Sequence, residues 1–104
     1  MNDKSNIVLI GMPAVGKSTI GVLLAKRLGR YFLDTDVYIQ AAEGKTLQQI
    51  IDQQGLEEFC KTEEEHICCI DKTNCVIATG GSAVYSKSAM EHLSANGIIV
   101  YLEL

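Results

Sequence analysis

The run Gly11-Met12-Pro13-Ala14-Val15-Gly16-Lys17-Ser18-Thr19 sits directly behind the apolar stretch Ile7 to Ile10 and in front of the helical pattern Ser18 to Leu28. It matches G-x-x-x-x-G-K-[ST] at every specified position. Strand, glycine-containing loop and helix in that order constrain the fold, because each residue type has a physical job. The glycines let the backbone curl with its N–H groups turned inward, and the helix start adds its positive dipole end. Lys17 supplies a mobile positive charge for β/γ-phosphates, and the Ser18 hydroxyl is a candidate Mg²⁺ ligand. Gly11, Ala14, Val15, Gly16, Lys17, Ser18 and Thr19 are therefore the candidate nucleotide-phosphate residues. A strand–helix turn that binds nothing is the alternative, and the complete motif disfavours it.

Strand-like and helix-like periodicities alternate along the rest of the chain. Ile7 to Ile10, Tyr31 to Asp34, Cys75 to Thr79 and Ile98 to Leu102 read as strands. Ser18 to Leu28 reads as a helix stopped by Gly29, with Ile20, Leu23, Leu24, Arg27 and Leu28 near one face. Val37 to about Ile70 reads as helical with breaks near Gly44-Lys45 and Gln54-Gly55, and Lys87 to Ala95 as a last helix. Apolar strands alternating with helices indicate an α/β fold: a parallel sheet, like that of P-loop NTPases, with helices on both faces. Ligands in such sheets gather at the carboxyl ends of strands. Three strands end in chemically loaded residues, at Gly11 onward, at Asp34/Asp36 and at Gly80/Gly81, which predicts one shared crevice.

Composition narrows the function. Nine basic against thirteen acidic residues give a formal charge of −4, which offers no electrostatic footing for nucleic acid. No run approaches the roughly 20 apolar residues of a membrane span. The polar start, without a secretory leader, and four cysteines without metal-ligand spacing imply reduced thiols in a cytoplasmic protein. His66 and His92 read as surface or helix-packing residues, and Glu63-Glu64-Glu65 as a solvated helix with Glu63 as a candidate exception. The last strand, Ile98 to Leu102, has the pattern of a strand with two neighbours, and nothing follows to supply the second. The chain is thus expected to be one domain over 1–104 that ends early, with self-association through an exposed last strand.

Taken together, Gly11 to Thr19, Phe32-Leu33-Asp34-Thr35-Asp36, Gly55-Leu56-Glu57-Glu58-Phe59 with Glu63, and Val76-Ile77-Ala78-Thr79-Gly80-Gly81 resemble the shikimate kinase family. The resemblance implies a P-loop kinase that transfers the γ-phosphoryl of ATP, with Mg²⁺, to a hydroxyl of shikimate or a related small metabolite. It implies that Lys17 and Asp34 are catalytic, that Ser18 and Asp34 serve the metal, and that Asp36, Gly80 and Gly81 bind substrate. A helix N-cap at Asp36 and a plain turn at Gly80-Gly81 are the structural alternatives. Cys60 stands where the family pattern has a carboxylate-clamping arginine, which leaves Glu63 without that partner. Ser82 replaces the third glycine of G-G-G, adding a side chain at the substrate rim, and Ala14 replaces the middle glycine of the loop. The family's lid and a fifth strand have no counterpart in this sequence. Two other readings accompany the kinase: a nucleotide-binding module without efficient catalysis, and a kinase for another hydroxylated metabolite.

Overall fold

The computed structural model describes residues 5–11 and 16–102. Runs of β-branched and aromatic residues, which suit a pleated surface, form β1 (Asn6–Gly11), β2 (Tyr31–Asp34), β3 (Cys75–Ala78) and β4 (Gly97–Leu102). Between them lie α1 (Lys17–Leu28), α2 (Thr35–Glu43), α3 (Leu47–Gln54), α4 (Leu56–Cys68) and α5 (Lys87–Ala95), with a short 3₁₀ turn at Ala83–Tyr85. Local chemistry sets the helix ends. Gly29 and Gly44 close α1 and α2 in the left-handed conformation. Thr46 and Gln49 form a reciprocal capping box on α3, and the Ser86 hydroxyl caps α5.

The strands pair in the order β2-β3-β1-β4, and every pairing is parallel. Ile7 lies opposite Val76 on one side and Ile98 on the other, and Leu9 opposite Ala78 and Val100. One face of the sheet buries Leu9 and Val76 against Ala25 of α1, with Leu24 and Phe32 at the margin. The other buries Val8, Ile10 and Ile77 against Ile67 of α4 and Ala89 and Leu93 of α5. A third cluster, Ile39, Ile50 and Phe59, ties α2, α3 and α4 together. The α/β, parallel-sheet expectation therefore holds, with helices on both faces.

Two details differ from the sequence reading. The buried side of α1 is Lys17, Gly21 and Ala25, whereas Ile20, Leu23 and Leu28 are exposed. Close approach explains this: a Cβ on Gly21 would stand 2.6 Å from Cε1 of Phe32, so small residues face the sheet and larger ones are displaced from it. The third strand also stops at Ala78, one residue early, and Thr79 turns to bond β1. Along β4, Ile98, Val100 and Tyr101 are exposed, and β1 is its one sheet neighbour among the described residues.

Candidate functional site

Strand order determines what meets what. With β3 beside β1, the residues following β3 reach the start of α1, and β2 brings its acidic end to the same rim. Thr79 seals the junction, its amide and hydroxyl both donating to the Leu9 carbonyl, at 3.2 and 2.9 Å. The result is a cavity of about 200 Å³ lined by Gly16, Lys17, Ser18, Thr19, Asp34, Asp36, Thr79, Gly80 and Gly81. Most of the sequence-derived candidates share it. Ala14 and Val15 lie outside the described residues. Gly11 is at the end of β1, where a side chain would strike the Leu102 carbonyl of β4.

On the loop side, Gly16 adopts φ 78°, ψ 36° at the start of α1, a left-handed geometry that favours glycine. Lys17 is only 6% exposed, and its Nζ donates to the Gly11 carbonyl at 2.8 Å. Ser18 Oγ donates to Asp34 Oδ2 at 2.5 Å. The other Asp34 oxygen, Oδ1, accepts from the amides of Asp36 (2.9 Å) and Val37 (3.2 Å). Asp34, not Asp36, is therefore the N-cap of α2. The reason is geometric: Asp34 keeps extended backbone at φ −101°, ψ 119°, while Asp36 already lies in the first turn. This frees the Asp36 carboxylate for the cavity.

Thr35, fully buried between the two acids, was not singled out from sequence, although it lies inside the quoted Phe32–Asp36 motif. Its Oγ1 accepts from the Gly80 amide at 3.0 Å, stitching the start of α2 to the glycine segment. Gly80 is pressed between carboxylates. A Cβ there would collide with Asp36 Oδ1 and come within 3.0 Å of Glu63 Oε2. Burial, and next the nearby Asp34 charge, push the Asp36 carboxyl above its usual range, against the pull of Lys17.

Glu63 is 3% exposed, so it is indeed the exception in its acidic run. It does not lack a partner: Ser82 Oγ donates to Glu63 Oε1 at 2.6 Å. The Ser82 side chain, expected at the rim, is thus engaged with α4. Burial raises the Glu63 carboxyl, the Ser82 hydrogen bond draws it back, and the Asp36 charge adds to the rise. Behind this wall, Glu57, Cys60, Lys61, Glu63, Glu64, Ser82, Tyr85 and Ser86 line a second cavity of about 270 Å³. The histidines pack helices: His66 bonds Glu43 at 2.8 Å and His92 the Ile70 carbonyl at 2.6 Å. All four cysteines are unbridged. No helix among the described residues is long and apolar enough to cross a membrane.

The same arrangement has relatives. The family model described as shikimate kinase matches residues 13–104. This chain belongs to the shikimate kinase family. Among curated relatives, the shikimate kinase of Histophilus somni (strain 2336) is 44% identical over 104 residues, a match spanning 99% of this chain and 59% of that one. The shikimate kinase of Colwellia psychrerythraea is 45% identical, with 99% and 60% covered. In structure, the shikimate kinase from Acinetobacter baumannii in complex with shikimate superposes with a TM-score of 0.92 at 36% identity, covering 97% of this chain and 57% of that one. The chain thus spans about 59% of the length of these curated relatives.

Proposed function

We propose that the protein containing this chain is an ATP-dependent phosphotransferase that moves the γ-phosphoryl group of ATP to a hydroxyl of shikimate. One observation carries the reading: the loop residues Lys17 and Ser18, the acids Asp34 and Asp36, and the strip Gly80–Gly81 line a single cavity. Phosphoryl transfer depends mostly on positioning and charge neutralisation. In this reading Lys17 steadies the transferred group, and the loop amides, with Gly11, Ala14, Val15, Gly16 and Thr19 in the loop, hold the phosphates. Asp36, Gly80 and Gly81 receive the acceptor.

Ser18 and Asp34 offer two hard oxygens 2.5 Å apart. That pair suits Mg²⁺, which takes few protein oxygens and completes its shell with water and phosphate. When bound, the ion neutralises charge on the β- and γ-phosphates. The amides of Asp36 and Val37 hold Asp34 Oδ1, which orients Oδ2 toward Ser18 and the metal. Acceptance of the hydroxyl proton falls to Asp36, because a carboxyl raised above its usual range is a better base near neutral pH. The setting we propose is cytoplasmic, with small molecules and not nucleic acid or membrane as partners. We further propose that the open apolar edge of β4 supports self-association wherever no other strand covers it.

The test is Mg²⁺-dependent ADP release from the full-length protein, with and without shikimate. Shikimate-stimulated release is expected, and release indifferent to shikimate sinks the acceptor assignment. Cys60 on the second cavity, where the family resemblance implies an arginine, favours one alternative acceptor: a hydroxylated metabolite lacking a carboxylate. Stimulation by that class alone would establish it.

A further inference from the structure

The segment that follows β3 is tied to α4 at two points. Ser82 Oγ donates to Glu63 Oε1 at 2.6 Å, and Ser86 Oγ donates to Glu64 Oε2 at 2.5 Å. The serines flank the 3₁₀ turn Ala83–Tyr85, and the acids are consecutive on the helix. Between the two bonds the backbone is a chain of tight turns, with Ala83 N bonded to the Gly80 carbonyl (3.3 Å), Tyr85 N to that of Ser82 (3.1 Å) and Ser86 N to that of Ala83 (3.1 Å). Ala83 is fully buried beneath them. A displacement of either serine is therefore passed to Gly80. On its other side Gly80 is held by Thr35, and a Cβ on it would meet the carboxylates of Asp36 and Glu63.

We propose that the paired bonds Ser82–Glu63 and Ser86–Glu64 are a clasp that fixes the Gly80–Gly81 strip for the acceptor, making Ser82 and Ser86 positioning residues. This rests on the strip being part of the acceptor site, as argued above. A hydroxyl donating to a carboxylate is about twice as strong as a bond between neutral groups, and directional. It thus sets the strip's position where packing alone would leave play. Neither serine lines the cavity itself, and the strip they hold is its acceptor side, so the expected effect falls on the acceptor.

The experiment uses the full-length protein and two readouts, steady-state kinetics and amide hydrogen exchange. Ser82→Ala is expected to raise the acceptor KM about tenfold, given the size of charge-assisted bonds, with the ATP KM unchanged. It is also expected to lose protection at the Ala83 and Tyr85 amides. Ser82→Thr, which keeps the hydroxyl, restores both. Because Ser86 also caps α5, its bond is tested from the other side: Glu64→Ala raises the acceptor KM and leaves the cap, while Glu64→Gln keeps an acceptor oxygen and stays near wild type. A Ser82→Ala protein with unchanged acceptor KM, whatever its protection, overturns the proposal. So does a raised KM with intact protection, which would make Ser82 a direct contact. Failure of the wild-type protein to phosphorylate shikimate breaks the functional reading first, and the exchange measurement then decides the clasp by itself.

Discussion

The half of the cavity proposed for phosphate and the half proposed for the acceptor are built on different principles. Gly16, Lys17 and Ser18 are consecutive, and Lys17 finds its partner Gly11 six positions away. That half is one local unit at the start of α1. The acceptor half is assembled at long range: Thr35 meets Gly80 across 45 positions, Glu63 meets Ser82 across 19, and Glu64 meets Ser86 across 22. A local unit works as a fixed motif, in which each position has one job. A long-range wall can absorb change, because one segment answers another. Glu63 shares its helix with the thiol of Cys60, and takes its hydrogen bond from a serine on the segment after β3.

Breaking the local half is expected to have the largest effect. Lys17→Ala removes the buried ammonium from the cavity and is expected to slow phosphoryl transfer by about 10³-fold or more, the scale set by charge-stabilising groups in such reactions. Coupled measurement of ADP release checks it, and transfer within tenfold of wild type removes Lys17 from the mechanism. The acceptor half yields less. Gly80→Ala forces a methyl against Asp36 and Glu63. Displacement of the acceptor by a fraction of an ångström to 1 Å costs about 10–100-fold in kcat/KM for that substrate. Nucleotide affinity, measured by calorimetry, is expected to stay at the wild-type value. A loss of nucleotide affinity as large as the loss of acceptor use would erase the distinction between the halves.

The same contrast explains what was legible in the sequence. The strand and helix order and the shared crevice of Asp34, Asp36, Gly80 and Gly81 follow from periodicity and strand-end chemistry, because a parallel sheet has few ways to be wound. The buried side of α1 was not legible, since periodicity favours Leu23 and Leu28 where contact with Phe32 demands Gly21. Nor was the cap of α2: two acids compete for it, and only the backbone at Asp34 decides. The Ser82–Glu63 bond lay beyond reach because it depends on how α4 lies against the segment after β3. No spacing rule encodes that contact.

Asp34 stands at the seam of the halves, and two substitutions separate its duties. Asp34→Asn keeps an oxygen for the amides of Asp36 and Val37 but removes the charge beside Ser18. Asp34→Ala removes both. The alanine variant is expected to be less stable than the asparagine variant by about 1 kcal/mol, the usual worth of an N-cap, seen as a lower melting temperature. Both variants are expected to lose Mg²⁺-dependent turnover. Equal melting temperatures would show that the cap contributes nothing to the fold.

The smallest effect concerns the buried acid of the acceptor wall. The folded state raises the Glu63 carboxyl above its ordinary value of 4.5, chiefly through burial. The folded protein thus binds a proton at Glu63 more tightly than the unfolded chain does. The associated stabilisation is complete below the unfolded value and is lost as pH rises through the raised folded value. Glu63→Gln removes this titration while keeping an oxygen for the Ser82 hydroxyl. Its melting temperature is expected to match wild type near pH 4 and to exceed it increasingly toward neutral pH. Asp36, which faces Glu63 across Gly80 and is raised in the same sense, remains in both proteins. Its contribution largely cancels in the difference between them, apart from the easing it feels when the Glu63 charge is gone. A difference that is flat with pH, or that shrinks as pH rises, would mean that Glu63 ionises in the fold as easily as in water, and that the acceptor wall is wetter than its burial implies.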